Sequence, residues 1–326
     1  MTTSRKPSLT FCFAGQGSQY HQMAADLYAE HAVFREWMLI GDEVVRGRHG
    51  FSLLDAIYGP TRRLIDPFER LEETSPAIFV VQYALAKLLM HHGLRPDRLF
   101  GISLGEMTAM TVAGMASFET MLSAVSDQPV AYRRTCEPGG MVAVLGAPAL
   151  HAELPALNAA SEIAGINADN HFVLSAPAGA LNAIETALRE RDVPYQRLPV
   201  PFAFHSSWIE PAAASCRSLF DFNPGTPQWP CWSSCEAAPV RPDAADLPWR
   251  IARQPMHVQT TLRAMQAERD SVYIDLSPSG TLAAILPQIV GADTASPVLA
   301  ILSPFGANLK RLARVIDTVG GSPQRR

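Results

Sequence analysis

A serine lies between two glycines in the stretch 101–105, which reads Gly-Ile-Ser-Leu-Gly. This Gly-x-Ser-x-Gly pattern is typical of a nucleophile elbow, a sharp turn between a strand and a helix that exposes the serine. The turn strains the serine backbone, and its tight geometry leaves no room for side chains at the flanking positions. The alternative is an ordinary turn that leads into a buried helix. The pattern makes Ser103 a candidate nucleophile.

A serine hydroxyl becomes a good nucleophile only when a base takes its proton, and the nine histidines are the candidates for that base. His205 lies in an apolar run that ends in serines, Phe-Ala-Phe-His-Ser-Ser at 202–207. Such a histidine is either a satisfied core residue or a catalytic base, and the elbow serine earlier in the chain favours the base. Six others lie in polar or helix-flanking stretches and are expected to be exposed: His21, His31, His49, His91, His92 and His151.

A second loop also carries a polar residue between glycines. The apolar stretch 9–13 is predicted to be a buried strand, and Gly15-Gln16-Gly17 follows it directly. This places Gln16 at the carboxyl edge of a sheet, where open α/β sheets bind ligands. No Gly-Lys-Ser/Thr follows, so the loop does not match a phosphate-binding motif. An ordinary strand-to-helix turn is the alternative, but it would not need the glutamine.

Composition limits the functional classes. The 326 residues suit one large domain, or a large and a small one, and 48% hydrophobic content allows a substantial core. A net charge of -4 with no basic block argues against a nucleic-acid partner. No apolar run predicts a signal peptide or a membrane span. The five scattered cysteines indicate a reducing cytoplasm, and Cys231 and Cys235 lack a second ligand pair, so we expect free thiols and no metal.

The apolar spacing predicts mostly helix before residue 138. Helical patterns cover 23–45, and a long helix is expected over 72–92, with Thr74-Ser75-Pro76 as its cap and first turn. A helix should follow the elbow, and another should cover 118–125 before an interruption at 127–129, because proline disfavours helix in the residue before it.

The segment 139–198 has a different pattern. It is predicted to be strand-helix-strand-strand-helix-strand, the order of a ferredoxin-like unit. Because the elbow sheet still needs later strands, expected at 272–276 and 298–302, we interpret this unit as an insertion. The prediction is an α/β fold with a large subdomain, 1–138 and 199–326, that resembles an α/β-hydrolase, and an inserted ferredoxin-like subdomain, 139–198.

Three ordered motifs together resemble the malonyl-CoA:ACP transacylase (acyltransferase) family of fatty acid and polyketide synthesis. They are Phe-Ala-Gly-Gln-Gly-Ser-Gln at 13–19, Gly-Ile-Ser-Leu-Gly-Glu at 101–106 and Ala-Phe-His-Ser at 203–206. The resemblance covers nearly the whole chain, and three motifs in the correct order are far more specific than the elbow alone.

The resemblance implies a role for each candidate residue. Ser103 would carry the acyl group as an ester, and His205 would act as base and then as acid for the leaving thiol. A backbone carbonyl, at Gln254 in this chain, would orient the histidine. The backbone N–H groups of Gln16 and Leu104 would form the oxyanion hole. The family needs no cofactor, because the phosphopantetheine thiol, on an acyl carrier protein or CoA, belongs to the substrate.

Two departures from the family pattern concern the acyl pocket. The family has a histidine before the serine and an arginine 25 positions after it, whereas this chain has Ile102 and Gln128. The arginine binds the free carboxylate of malonyl in a bidentate pair, and a glutamine cannot supply that charge. The pocket is therefore expected to favour uncharged acyl groups, with Phe204 setting its width. The alternative is that Arg133 or Arg134 replaces the missing cation.

The glutamine variant resembles the free-standing acyl hydrolases of trans-acyltransferase polyketide systems. We therefore predict hydrolysis of acyl groups from carrier proteins, as editing of stalled or unwanted chains. An acyltransferase that moves a malonyl or neutral starter group to a carrier thiol is the second hypothesis, and a non-catalytic docking partner of carrier proteins is the third. We expect a cytoplasmic monomer.

Overall fold

Ten strands form two separate sheets in the computed structural model, which describes residues 8–221, 224–244, 246–291 and 296–320. The first sheet has six strands and the second has four. In chain order the strands are β1 (Ser8–Phe13), β2 (Arg98–Gly101), β3 (Gly139–Val144), β4 (Glu162–Ala168), β5 (His171–Pro177), β6 (Tyr195–Arg197), β7 (Cys231–Ser233), β8 (Ala238–Pro239), β9 (Ser271–Asp275) and β10 (Val298–Ala300).

The larger sheet has the order β10-β9-β1-β2-β7-β8, and all its neighbours are parallel except β7 and β8. Every residue of β1 and β2 is buried, as the short apolar runs predicted for strands covered on both faces. In this parallel core the carboxyl ends of β1 and β2 lie side by side, with Phe13 opposite Gly101 in the register. The sheet therefore brings the Gln16 loop and the Ser103 turn to one edge.

Helices pack against both sheets. Fifteen α-helices lie in the described ranges, together with a 3₁₀-helix at Ser207–Ala212. They are α1 (Ala25–Glu30), α2 (Ala32–His49), α3 (Leu53–Tyr58), α4 (Leu71–His91), α5 (Leu104–Val112), α6 (Phe118–Thr135), α7 (Leu150–Glu153), α8 (Pro155–Ala160), α9 (Ala178–Glu190), α10 (Ala213–Leu219), α11 (Leu247–Arg253), α12 (Val258–Glu268), α13 (Thr281–Ile285), α14 (Pro287–Val290) and α15 (Asn308–Gly320).

The start of α4 differs from the prediction. The helix begins at Leu71, so Thr74 and Ser75 lie inside its first two turns and do not cap it. Glu72 and Glu73 occupy the first turn, where their negative charge complements the helix dipole. The hydroxyls of Thr74 and Ser75 instead form hydrogen bonds with the Gln16 side chain. Residues that resembled a cap therefore hold a loop of the site.

The predicted interruption at 127–129 is wrong. Helix α6 runs without a break from Phe118 to Thr135, with Pro129 inside it. A proline lacks one N–H group, so only the bond to the carbonyl of Val125 is lost, and the packing of α6 against α4 compensates for it. The continuity matters because it places Gln128 and Tyr132 one turn apart on the same face.

The smaller sheet is antiparallel and has the order β4-β5-β3-β6. With the helices α7 and α8 after β3, and α9 after β5, this is the ferredoxin-like arrangement. Its strands and helices lie between residues 139 and 197 and share a separate core that includes Val142, Phe172 and Ile184. The predicted fold class, a large α/β-hydrolase-like subdomain with a small ferredoxin-like one, is confirmed.

One of the six histidines predicted to be exposed is buried. The ring nitrogens of His21 lie 3.0 Å from the carbonyl oxygen of Ala56 and 3.3 Å from that of Pro67. The ring also stacks on Phe68 at 4.3 Å between centroids. The polar neighbours of His21 in the sequence did not reveal these carbonyls, because they come from a distant segment. The other five are partly or fully exposed.

Candidate active site

Ser103 occupies the turn between β2 and α5 and has a strained backbone, with φ 53° and ψ -126°. The flanking glycines are required by close backbone contacts. A Cβ atom on Gly101 would lie 2.4 Å from Cα of Glu106, and one on Gly105 would lie 2.1 Å from the carbonyl oxygen of Phe13. The segment 101–105 therefore has the geometry of a nucleophile elbow.

His205 lies against this serine. Its Nε2 is 2.8 Å from Oγ of Ser103, and its Nδ1 is 2.9 Å from the carbonyl oxygen of Gln254. A carbonyl can only accept a hydrogen bond, so Nδ1 must carry the proton. In the neutral ring Nε2 then has a free lone pair that accepts the serine hydroxyl. This is the tautomer that a general base requires.

The backbone of His205 is also held tightly. It has φ 59°, and its N–H group donates to the carbonyl of Ala252 at 2.8 Å. Burial lowers the pKa of the imidazole to about 4, although hydrogen bonds to the carbonyls of Gln254 and Ile251 raise it in part. The ring is therefore neutral at pH 7 and available as a base.

Three side chains of α4 fix the Gln16 loop. Nε2 of Gln16 donates to Ser75 at 2.7 Å, and Thr74 donates to Oε1 of Gln16 at 3.1 Å. Gln82, which is fully buried, accepts from the N–H group of Ala14 at 2.7 Å and donates to its carbonyl at 3.0 Å. Neighbouring Gly15 touches the elbow, since a Cβ there would lie 2.9 Å from Cβ of Ser103.

The loop brings two free backbone donors near the serine. Within the described ranges, the N–H groups of Gln16 and Leu104 have no hydrogen-bond partner. Leu104 is the first residue of α5, where the N–H groups of a helix lack internal partners. Donors of this kind can stabilise an oxyanion that forms next to Ser103.

Two cavities meet at Ser103. The smaller cavity, which we call the acyl pocket, has a volume of about 40 Å³. The larger cavity is the cleft between the two subdomains and has a volume of about 490 Å³. Both are lined by Gln16, Ser103, Phe204 and His205. A substrate can therefore place its acyl group in one cavity and its leaving group in the other.

The remaining predicted pocket residues are divided between these cavities. Gln128 lines the acyl pocket together with Leu104, and it is almost fully buried. Ile102 lines the cleft and is not among the residues of the acyl pocket. The structure thus places Gln128 in the same cavity as the serine, whereas Ile102 lies in the cleft.

The two arginines considered as replacements lie elsewhere. Arg133 forms an ion pair with Glu72 and lines a different cavity of about 320 Å³. Arg134 is exposed, and neither arginine lines the acyl pocket. Among the described residues around that pocket there is no lysine or arginine.

Glu106 follows the elbow directly, and the sequence motif alone does not predict a role for it. Its buried carboxylate accepts hydrogen bonds from the hydroxyls of Ser233 and Ser234 and from the N–H group of Cys235 at 3.1 Å. Burial raises its pKa to about 7, against the lowering by these three donors. Glu106 therefore joins the first turn of α5 to the end of β7 and the loop that follows it, and it positions the elbow. A lone carboxylate in an otherwise apolar helix start was the signal for this role.

Three further observations concern the residues that the structure describes. No helix in these ranges is both long and apolar enough to cross a bilayer. No set of three or more histidine, cysteine, aspartate or glutamate side chains there could hold a metal ion. Cys231 and Cys235 are buried free thiols, and Cys231 is the first residue of β7.

The fold and the Ser103–His205 pair define a class, the two-subdomain α/β acyltransferases with a serine in an elbow. Residues 10–312 match the family described as acyl transferase domain, and the chain therefore belongs to that family.

Relatives in this family agree over nearly the full length. The chain is 40% identical over 319 residues to the polyketide biosynthesis acyltransferase homolog BaeD of Bacillus velezensis, with 98% of each chain covered. It is 37% identical over 308 residues to the homolog PksD of Bacillus subtilis, covering 94% of this chain and 95% of that protein. The acyltransferase domain from the second module of the salinomycin polyketide synthase superposes with a TM-score of 0.84 at 25% identity, over 98% of this chain and 74% of that one.

Proposed function

We propose that this protein hydrolyses acyl groups from acyl carrier protein thioesters through an ester on Ser103, as an editing enzyme of polyketide biosynthesis. The observation that carries the proposal is the acyl pocket, which joins Ser103 and His205 to the neutral Gln128 without a cation. A buried carboxylate without a cation costs several kcal/mol, so such a pocket disfavours malonyl. The names of the relatives BaeD and PksD support the pathway.

In the first half-reaction Nε2 of His205 takes the hydroxyl proton while Oγ of Ser103 attacks the thioester carbonyl. The negative charge on the carbonyl oxygen is stabilised by the N–H groups of Gln16 and Leu104. The C–S bond then breaks, and the His205 imidazolium returns its proton to the phosphopantetheine sulfur. The products are a Ser103 ester and a free thiol, and the carbonyl of Gln254 keeps the ring oriented throughout.

In the second half-reaction the free thiol leaves the cleft and water takes its place. His205 removes a proton from that water, which attacks the ester carbonyl, and the proton passes to Oγ of Ser103 as the free acid departs. An acyltransferase uses the same Ser103 ester but resolves it with a second carrier thiol. That activity, with CoA or a carrier protein as donor, is the second candidate and is supported by the family match.

The direct test loads a carrier protein with acetyl, butyryl or malonyl groups and follows the thioesters by intact mass. With the enzyme present, we expect free acid from the acetyl and butyryl carriers and none from the malonyl carrier. Quantitative movement to a second carrier without free acid would establish the transferase. Binding of the carrier without either reaction would support the docking role.

Replacement of Gln128 by arginine is expected to increase malonyl acceptance. The guanidinium would supply the missing cation beside Ser103, so acylation by malonyl thioesters should rise by at least about tenfold relative to butyryl. The measurement is the ratio of malonyl to butyryl ester on Ser103 by mass. The control is Gln128→Met, which replaces glutamine by a neutral side chain of similar length. It supplies no cation and should leave malonyl excluded. An unchanged ratio in the arginine variant would mean that residue 128 does not contact the acyl group.

The pH dependence of acylation should reflect the low pKa of His205. Protonation of Nε2 removes the lone pair that accepts the serine proton, so activity is present above the pKa of about 4 and lost below it. Single-turnover acylation by a butyryl thioester should stay near its maximum at pH 6 and fall to half near pH 4. Circular dichroism at each pH would confirm that the fold persists. A midpoint near the ordinary value of about 6.5 would show that the ring is solvated.

A further inference from the structure

Two buried polar atoms of α6 have no hydrogen-bond partner in the part of the chain that the structure describes, Nε2 of Gln128 and the hydroxyl of Tyr132. Gln128 is 9% exposed and Tyr132 is 2% exposed. The two residues are four positions apart, so they lie on one face of the helix, and both line the acyl pocket beside Ser103.

The residues around the Tyr132 hydroxyl do not form a hydrogen bond with it. The Phe202 and Phe204 rings pack around the Tyr132 ring at 5.8 and 5.0 Å between centroids. Burial raises the pKa of the hydroxyl, the neighbouring Cys216 thiol raises it further and the Gln128 amide lowers it, but neither neighbour has hydrogen-bond geometry with the hydroxyl. Buried polar groups left unpaired in this way destabilise a protein unless a ligand completes them.

Both groups are donors, and one oxygen atom with two lone pairs can accept from both. The acyl pocket of about 40 Å³ has room for about three atoms beyond the ester carbonyl, because one water-sized position needs about 10–15 Å³. Beyond the carbonyl carbon, these three positions can hold carbon 2, carbon 3 and an oxygen bound to carbon 3.

We infer that the acyl pocket selects short acyl groups that carry an uncharged hydroxyl or keto oxygen on carbon 3. Gln128 and Tyr132 donate to that oxygen and thereby act as specificity determinants. A saturated chain of equal length leaves both donors buried and unpaired, and it is the poorer substrate. The inference rests on the proposed acylation of Ser103 and names the substrate class for it.

A matched pair of probes tests this selection. Butyryl and 3-hydroxypropionyl pantetheine thioesters differ only in a methyl group and a hydroxyl at the same position. In the unmodified protein we expect kcat/KM to favour 3-hydroxypropionyl by at least about fivefold, and Tyr132→Phe to reduce that ratio by a similar factor. Gln128→Met should act in the same direction. Tyr28→Phe removes a hydroxyl outside both cavities and should keep the ratio unchanged.

The outcomes separate the inference from the proposed function. If neither thioester acylates Ser103, the proposed function fails. If both acylate it with the same ratio in the unmodified protein and in Tyr132→Phe, the inference is overturned while the function stands. A preference of the unmodified protein for butyryl also overturns it, since the donors would then be satisfied by water. Thermal melting monitors folding, and Gln128→Met provides the decision if Tyr132→Phe does not fold.

Discussion

Replacement of Ser103 by alanine is expected to reduce thioester turnover by about 10⁴-fold or more and to abolish the acyl-enzyme adduct. The alanine removes the atom that lies 2.8 Å from Nε2 of His205, and no other hydroxyl occupies that position in the elbow. The backbone donors of Gln16 and Leu104 remain, so a small residual rate over that in water is expected. Intact mass after incubation with a butyryl thioester measures the adduct, and free thiol release measures turnover.

The histidine provides the internal control for this result. Because Ser103 and His205 act as one unit, His205→Asn should cost nearly as much as Ser103→Ala, and the double variant should be no slower than the Ser103 variant alone. An additive loss would show that the two residues act independently. Substantial turnover by Ser103→Ala would mean that the nucleophile lies elsewhere, and it would favour the docking hypothesis or a different site.

The second large effect concerns Gly105, which lies two positions after the nucleophile. Gly105→Ala should lower the free energy of unfolding by about 3 kcal/mol or more, because its Cβ would lie 2.1 Å from the carbonyl oxygen of Phe13. That contact joins the first turn of α5 to the end of β1, two buried backbone segments that cannot move apart without disturbing the sheet. Urea denaturation followed by circular dichroism measures the change.

A matched glycine-to-alanine change elsewhere controls for the general effect of the substitution. Gly179 is exposed in the first turn of α9, and a Cβ there would meet nothing within 4 Å. Gly179→Ala should therefore leave stability unchanged or raise it by about 0.5–1 kcal/mol through helix propensity. If Gly105→Ala were also within about 1 kcal/mol of the unmodified protein, the close approach of α5 to β1 would be wrong.

Local patterns were sufficient to predict the elements that carry the site. The glycines around Ser103, the apolar run before Gln16 and the strand-helix order of 139–198 each depend on nearby residues, and the structure has them as predicted. The motif resemblance added Gln254 as the partner of His205, and its carbonyl lies 2.9 Å from the ring.

Long-range contacts explain what the sequence did not reveal. Proline at 129 disfavours helix locally, but the packing of α6 against α4 overrides that preference. The carbonyls that lie against the His21 ring come from positions 35 and 46 residues later, and no spacing rule connects them to it. The sequence does not predict Tyr132 as a pocket residue for the same reason. Its place in the acyl pocket depends on the continuity of α6 beyond the interruption that Pro129 predicts.

The meeting of two cavities at Ser103 has a kinetic consequence. Under the proposed function, an acyl group on Ser103 would occupy the smaller cavity, and the departed thiol would leave the larger cavity of about 490 Å³ to whichever nucleophile arrives next. Water and an acceptor thiol then compete for one intermediate, and the partition ratio between free acid and transferred acyl group becomes a function of acceptor concentration. At saturating acceptor concentration the site would mainly transfer the acyl group, and at low acceptor concentration it would mainly hydrolyse it. The cellular ratio of loaded to empty carriers would thus decide which reaction predominates.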